Sequence, residues 1–227
     1  MSKATQLTRL LQLASPALPV GAYSYSQGLE AAVEAGVVHD ADSAGIWIGD
    51  VLELSMAHME GPVLLRLHDA WQAADFNAVA QWNDWFLAGR ETAELRAETL
   101  QMGYSLARLL GDVIQEKSFK INELRDIAEI TFPTAYTVAA AHWQIERGDA
   151  LVAYLWSWLE NQVMAAVKAV PLGQTDGQKI LLRLGGQLPA TATHIATISD
   201  DALGNFTPGL ALLSSRHETQ YSRLFRS

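Results

Sequence analysis

The sequence predicts an all-α protein: a single compact domain of about ten helices with a flexible C-terminal tail. Three observations carry this reading. Helix-favouring Ala, Leu, Glu and Gln dominate the chain, and no run of alternating β-branched residues suggests a strand. Apolar residues recur at helical spacing between Pro and Gly breaks. The chain has 227 residues, with 49% hydrophobic and 18% charged, which is a globular composition at a length one domain often reaches.

The elements follow in order. A first helix is predicted over Thr5–Ala14, stopped before Pro16. Ser15 to Gly21 reads as an irregular connection with two prolines and a glycine. A second helix covers Ser24–Ala35, with Gly36 as its C-cap. Asp42 is placed to cap a third, carrying Ile46, Trp47, Val51, Leu54 and Met56, until Gly61-Pro62 breaks the chain and Pro62 opens a fourth. Asp75 caps a helix striped by Phe76, Val79, Trp82 and Phe86. Another runs from about Glu91 to Ile114 with Leu95, Met102, Leu106, Leu109 and Leu110 on its apolar side. Asn122 opens a short helix ending near Phe132-Pro133, and the next ends near Gly148. Asp149 caps Ala150–Ala169, which is apolar on nearly every side and is expected to be the central buried helix. Two more are predicted over Thr175–Leu184 and Pro189–Ala202, before Gly204–Gly209 loosens the chain. The domain organisation is thus a helical body over 1–209 and a tail over 210–227.

Composition excludes some functions. A net charge of -9 argues against general nucleic-acid binding, which needs basic patches. There is no cysteine, so disulfides and thiolate metal sites are absent, in keeping with a reducing cytoplasm. The most apolar run, Ala150 to Leu159, meets Glu160, Asn161 and Gln162 well before the roughly 20 residues a bilayer needs. The N-terminus lacks the long apolar core of a signal peptide.

Catalytic motifs are missing. Gly173 to Lys179 lacks the spacing and closing hydroxyl of a phosphate-binding loop. His39, His58, His68, His142, His194 and His217 form no metal-binding helical pair. His217 with Glu218 is a weak metal-binding pair at best and is commonly an ordinary surface pair. Glu91, Glu94 and Glu98 share part of one helix face, near Arg90. Acid–base work is one reading; a solvated face with an Arg90–Glu94 pair, or a contact surface, is the favoured one.

Three stretches stand out. The final twelve residues, RHETQYSRLFRS, set Arg216, Arg223 and Arg226 against Glu218 alone and add Tyr221, Leu224 and Phe225. Arginine and aromatic residues suit a docking peptide, and a solvated loose end is the plainer alternative. In PVGAYSYSQGLE, Tyr23 and Tyr25 lie beside Gly21 and Gly28, either as interface residues or as caps on the core. The glycines there read as tight backbone contacts and not as a phosphate cradle. Lys168, near the end of the apolar helix, complements the helix dipole or presents a charge beside the VPLGQTDG turn. The seven tryptophans are expected mainly in the core.

The stretches LLQLASPALPVGAYSYSQGLE, RETAELRAETLQMGYSL and YLWSWLENQVMAAVKAVPLGQTDGQ, with the tail, fall in the order found in UreF urease accessory proteins. The chain resembles that family over essentially its whole length. The resemblance implies a helical, non-enzymatic, dimeric and cytoplasmic chaperone for nickel insertion into urease. It implies a bridge between the UreG GTPase and UreD (UreH in some organisms), which contacts apo-urease. No cofactor is expected on this chain; nickel and GTP belong to the partners. The tail, through Arg216, His217, Glu218, Tyr221, Arg223, Leu224, Phe225 and Arg226, is expected to dock on UreD. Tyr221, Leu224 and Phe225 are its apolar anchors, and Arg223 and Arg226 fix its register. Pro19, Gly21, Tyr23, Tyr25, Gly28, Glu30 and Lys168 are candidates for UreG contact or dimerisation. A helical metal-dependent enzyme, or a helical adaptor unrelated to urease, is the alternative.

Overall fold

Side-chain caps at Ser2, Asp40, Asp75 and Thr92 set four of the helix starts in this chain. A computed structural model describes all residues from Met1 to Ser227, and its only regular elements are helices. Helix α1 (Lys3–Leu13) opens on Ser2, whose hydroxyl accepts from Thr5 N–H at 3.1 Å. The second helix is shorter than its sequence suggests. A 3-10 turn covers Ala22–Ser24, and α2 spans only Leu29–Glu34. Gln27 (φ 51°) and Gly28 (φ 79°) are both left-handed, so no right-handed helix can run through them.

Helix α3 (Ala41–Val51) is capped by Asp40 and not by Asp42. Asp40 Oδ1 accepts from Ser43 N–H at 2.8 Å, and Ser43 Oγ accepts from Asp40 N–H at 3.0 Å, a reciprocal box that Asp42 has no partner to form. The expected break at Gly61-Pro62 is absent. Instead α3 passes through a π-helical stretch, Leu52–Glu60, directly into α4 (Gly61–Ala73). Proline lacks an N–H and crowds the carbonyl four residues back, here that of His58. The widened turn accommodates this, and Gly204 N–H donates to the freed His58 carbonyl at 3.2 Å. Gly61 permits close approach there: a Cβ would lie 2.8 Å from Ile195 Cδ1 and 3.0 Å from the Met56 carbonyl oxygen.

Helix α5 (Phe76–Ala88) starts at Asp75, as its sequence predicts, and α6 (Ala93–Val113) at Thr92. Helix α7 (Ile121–Arg125) is brief, and Pro133 opens α8 (Phe132–His142) in its first turn. Left-handed Gln144 (φ 55°) ends that segment before Gly148. Helix α9 then begins at Arg147, ahead of Asp149, and reaches Ala169. After it come α10 (Gln174–Gly185) and α11 (Leu188–Ile195). Helix α11 stops short of Ala202 because Thr197 Oγ1 turns back to donate to the His194 carbonyl at 2.7 Å. A last helix, α12 (Pro208–His217), occupies what reads as loosened chain and tail.

The core forms around α9, which packs against α1, α2, α3, α4, α8, α10 and α11 and buries Leu151, Leu155, Leu159 and Val163. Helix α8 is more completely enclosed, with every residue from Pro133 to Ala140 buried between α4 and α6. Its entry is fixed by buried Asn83. That amide donates to Glu129 O at 2.9 Å and accepts from Thr131 N at 3.0 Å and Thr134 Oγ1 at 2.9 Å. Trp71, Trp143 and Trp158 are core residues, whereas Trp85 and Trp156 are partly exposed. No helix is long and apolar enough to cross a membrane.

Helix α6 approaches the 130–131 backbone so closely that a Cβ on Gly103 would lie 2.1 Å from the Ile130 carbonyl oxygen. Backbone, unlike a side-chain tip, cannot rotate away. Gly103→Ala is therefore expected to lower stability by roughly 1–3 kcal/mol, read as a shifted urea midpoint with an unchanged slope.

Candidate functional site

Three helices and the chain's last residues converge on a small group of buried acids. Helix α2 contributes Glu30 from its first turn. Helix α6 contributes Glu94 and, one turn later, Glu98, so both point the same way. Helix α12 is drawn against α2 at Gly28, where any Cβ would meet Leu210 Cδ1 and Ser214 N, both at 3.3 Å. Its Leu210, Leu213, Ser214 and His217 fall on one face and are buried.

His217 is fully enclosed, with Nδ1 2.8 Å from Glu94 Oε2 and Nε2 3.2 Å from Glu30 Oε2. A neutral imidazole donates from one nitrogen only. Both ring nitrogens here face a carboxylate oxygen. Glu30 takes two further donors, Leu224 N–H at 2.7 Å and Phe225 N–H at 3.0 Å. Glu94 also accepts from Arg223 at 2.7 Å. The exchange runs both ways, since Glu218 of the terminal segment accepts from Ala93 N–H at 3.0 Å, at the positive end of α6. At the very end, Arg226 N–H donates to Ser24 O at 2.8 Å and Ser26 N–H donates to Ser227 O at 2.6 Å. Ser227 Oγ donates to Glu98 Oε2 at 3.1 Å.

The terminal segment is thus seated on the body rather than hanging free. Its own aromatic residues are too few for a core, but Phe225 joins the existing one with Leu210 and Leu213 of α12. The expected apolar anchors divide. Phe225 is 7% exposed, with the Lys168 ammonium 5.9 Å from its ring centre, whereas Tyr221 is fully exposed and Leu224 is 71% exposed. Arg216 and Arg226 also face solvent.

The Pro19–Glu30 stretch divides as well. Tyr25, Gly28 and Glu30 lie under the terminal segment, while Pro19 and Tyr23 are exposed. Gly21 has φ 82° and open space around it, so its role is conformational. Burial, with Glu98 adding to it, raises the Tyr25 hydroxyl pKa despite the opposing pull of Arg226. Arg90 does not pair with Glu94 but with buried Glu60, at 3.1 Å. The α6 carboxylates therefore form a contact surface for the chain's own end and not a solvated face. The signal for it is an acidic i,i+4 pair in an acidic chain whose last twelve residues set three arginines against one carboxylate. No group of three or more His, Asp or Glu side chains is placed to hold a metal ion.

Comparison with known proteins gives the family. The family model described as UreF matches residues 38–185. A protein named urease accessory protein UreF from Azoarcus sp. (strain BH72) is 59% identical over 223 residues, covering 97% of this chain and 95% of that one. The chain belongs to the UreF family. The UreF proteins of Methylobacillus flagellatus and Dechloromonas aromatica are each 53% identical to it, with both chains covered completely. Residues 38–185 include Glu94 and Glu98 but neither Glu30 nor the terminal segment. Only the full-length UreF relatives span every part of the site.

Two measurements probe the seat. His217→Ala removes a fully buried ring that bonds both Glu30 and Glu94. Its cost is expected near 3–5 kcal/mol, with faster proteolysis beyond residue 217. Glu98 is pushed up to about 7 by burial first and by neighbouring Glu60, its bonds from Gln27 and Ser227 opposing. A carboxylate whose folded pKa lies above its ordinary 4.5 carries a penalty that is absent below that value and grows until pH passes about 7. Wild-type stability should fall by on the order of 3 kcal/mol across that window through this group. Glu98→Gln should flatten the fall in urea titrations.

Proposed function

We propose that this chain is a non-catalytic accessory protein that bridges UreG and UreD, or UreH, and regulates GTP-dependent nickel delivery to apo-urease. Family membership supports the urease context. In this reading nickel is cargo and GTP belongs to the partner, so neither is a cofactor of this chain. The protein acts in the cytoplasm as a homodimer.

One observation supports the terminal segment as the UreD contact. Its arginine, histidine and backbone donors are held by Glu30 and Glu94, while Tyr221 and Leu224 project outward. A segment already held in place loses less entropy on binding than a free one. Phe225 then acts as the internal anchor and Tyr221 with Leu224 as the external contact. The Pro19–Tyr23 turn and the region of Lys168 remain for UreG or for the second copy.

Co-purification with UreD and UreG from one host tests this division. Tyr221→Ala with Leu224→Ala is expected to weaken UreD capture by about tenfold or more without changing thermal stability. Phe225→Ala should lower the melting temperature as well. Undiminished UreD capture by the double variant would show that the contact lies elsewhere on the helical body.

A further inference from the structure

Beside the terminal seat, a cavity of about 410 Å³ opens between the residue 13–23 connection and helices α6 and α9. That volume lies within the range of small-molecule sites. Its walls are largely apolar, built from Leu13, Leu18, Val20, Met102, Phe132 and Met164. Its charged groups are three acids and two cations: Glu60 and Glu98 lie among buried residues, Glu160 is part-buried, and Arg90 and Lys168 are the cations.

The charges in this cavity do not balance. Glu60 is satisfied by Arg90 at 3.1 Å and by the Tyr154 hydroxyl. Arg90 is engaged in turn, with its guanidinium 4.2 Å from the Phe86 ring centre. Glu98 has no cation bonded to it, and the nearby Arg90 charge only partly offsets its burial. Its partners are the Gln27 amide at 2.8 Å and the Ser227 hydroxyl at 3.1 Å, both neutral, and the residue is 7% exposed. Trp158 Nε1 donates to Gln27 Oε1 at 2.7 Å, which fixes that amide against Glu98. The pKa values of Glu98 and Glu160 are both raised by burial, and Glu60 adds to the effect at Glu98. The remaining lining cation, Lys168, lies over the Phe225 ring. A buried carboxylate without a bonded counter-ion, in the wall of an apolar cavity, is a socket for a positive charge on an apolar body.

We infer that this cavity binds a small organic cation, a primary ammonium on an alkyl or aryl-alkyl body, with the ammonium against Glu98 and the apolar part along Leu13, Val20 and Met102. This adds to the proposed accessory role and does not depend on it. Because Glu98 also accepts from Ser227, the ligand would touch the same carboxylate that holds the chain's end.

The test uses the full-length protein and three probes of similar shape: 2-phenylethylammonium, 2-phenylethanol and phenylacetate. Calorimetry would be done above neutral pH, where Glu98 is ionised, with intrinsic tryptophan fluorescence as a second readout. The ammonium is expected to bind about tenfold or more tightly than the alcohol, and phenylacetate least. Glu98→Gln should remove most of that preference while leaving the alcohol's affinity in place. Met102→Trp should block all three, and Leu18→Trp at the outer wall serves the same purpose if the first variant fails to fold. Equal binding of ammonium and alcohol by the wild type would overturn the inference. So would a preference that survives Glu98→Gln, or no binding of the ammonium at millimolar concentration.

Discussion

A carboxylate taken out of water must find charge or donors, and Glu30 organises one end of this molecule by that requirement. It lies in the first turn of a six-residue helix, too short to be stable alone. One side chain receives the His217 ring and two consecutive backbone N–H groups from the terminal segment. Helix α12 lies against Gly28, Phe225 enters the core and Ser227 reaches Glu98 alongside these bonds. Glu94 shares the His217 ring, so α2 and α6 are joined through a residue from neither. The arrangement trades solvation for connection: each buried acid is tolerated because another segment completes it.

Much of the body was legible from residue type and spacing. Asp75 and the apolar run of α9 announce themselves because a cap and a hydrophobic stripe are local signals. Others were displaced by equally local competitors, as when Asp40 with Ser43 outbid Asp42, or Thr92 set the start of α6. The π-helical passage was hidden because Gly61-Pro62 ordinarily breaks a chain. Whether it does so here depends on Gly204, far away in sequence, reaching the His58 carbonyl. Helix α12 had a readable pattern in Leu210, Leu213, Ser214 and His217, masked by the prominence of the arginines beyond it.

The functional region was legible in its parts and not in its assembly. The tail, the tyrosine–glycine stretch and Lys168 all stood out by composition, and the fold brings Tyr25, Gly28, Glu30, Lys168, His217 and Phe225 together. What composition did not reveal is which side of each segment faces inward. Tyr23 and Tyr25 are two residues apart and end on opposite sides of the covering; Leu224 and Phe225 are adjacent and do the same. Tyr23 belongs to the 3-10 turn that Tyr25 ends, so the division there is set by the turn and by which side chain finds a cavity to fill.

The bond from Phe225 N–H to Glu30 spans 195 residues, nearly the whole chain. Closing a loop of that length in an unfolded polymer costs about 5 kcal/mol of entropy. Nothing can meet that cost until the intervening helices have gathered around α9 and brought the two ends near each other. Assembly of the terminal seat is therefore a late folding event, and a chain whose body is still unfolded has no surface on which Tyr221 and Leu224 are held in place. A partner that recognises those two side chains in their seated geometry would, by the same constraint, be distinguishing finished molecules from unfinished ones.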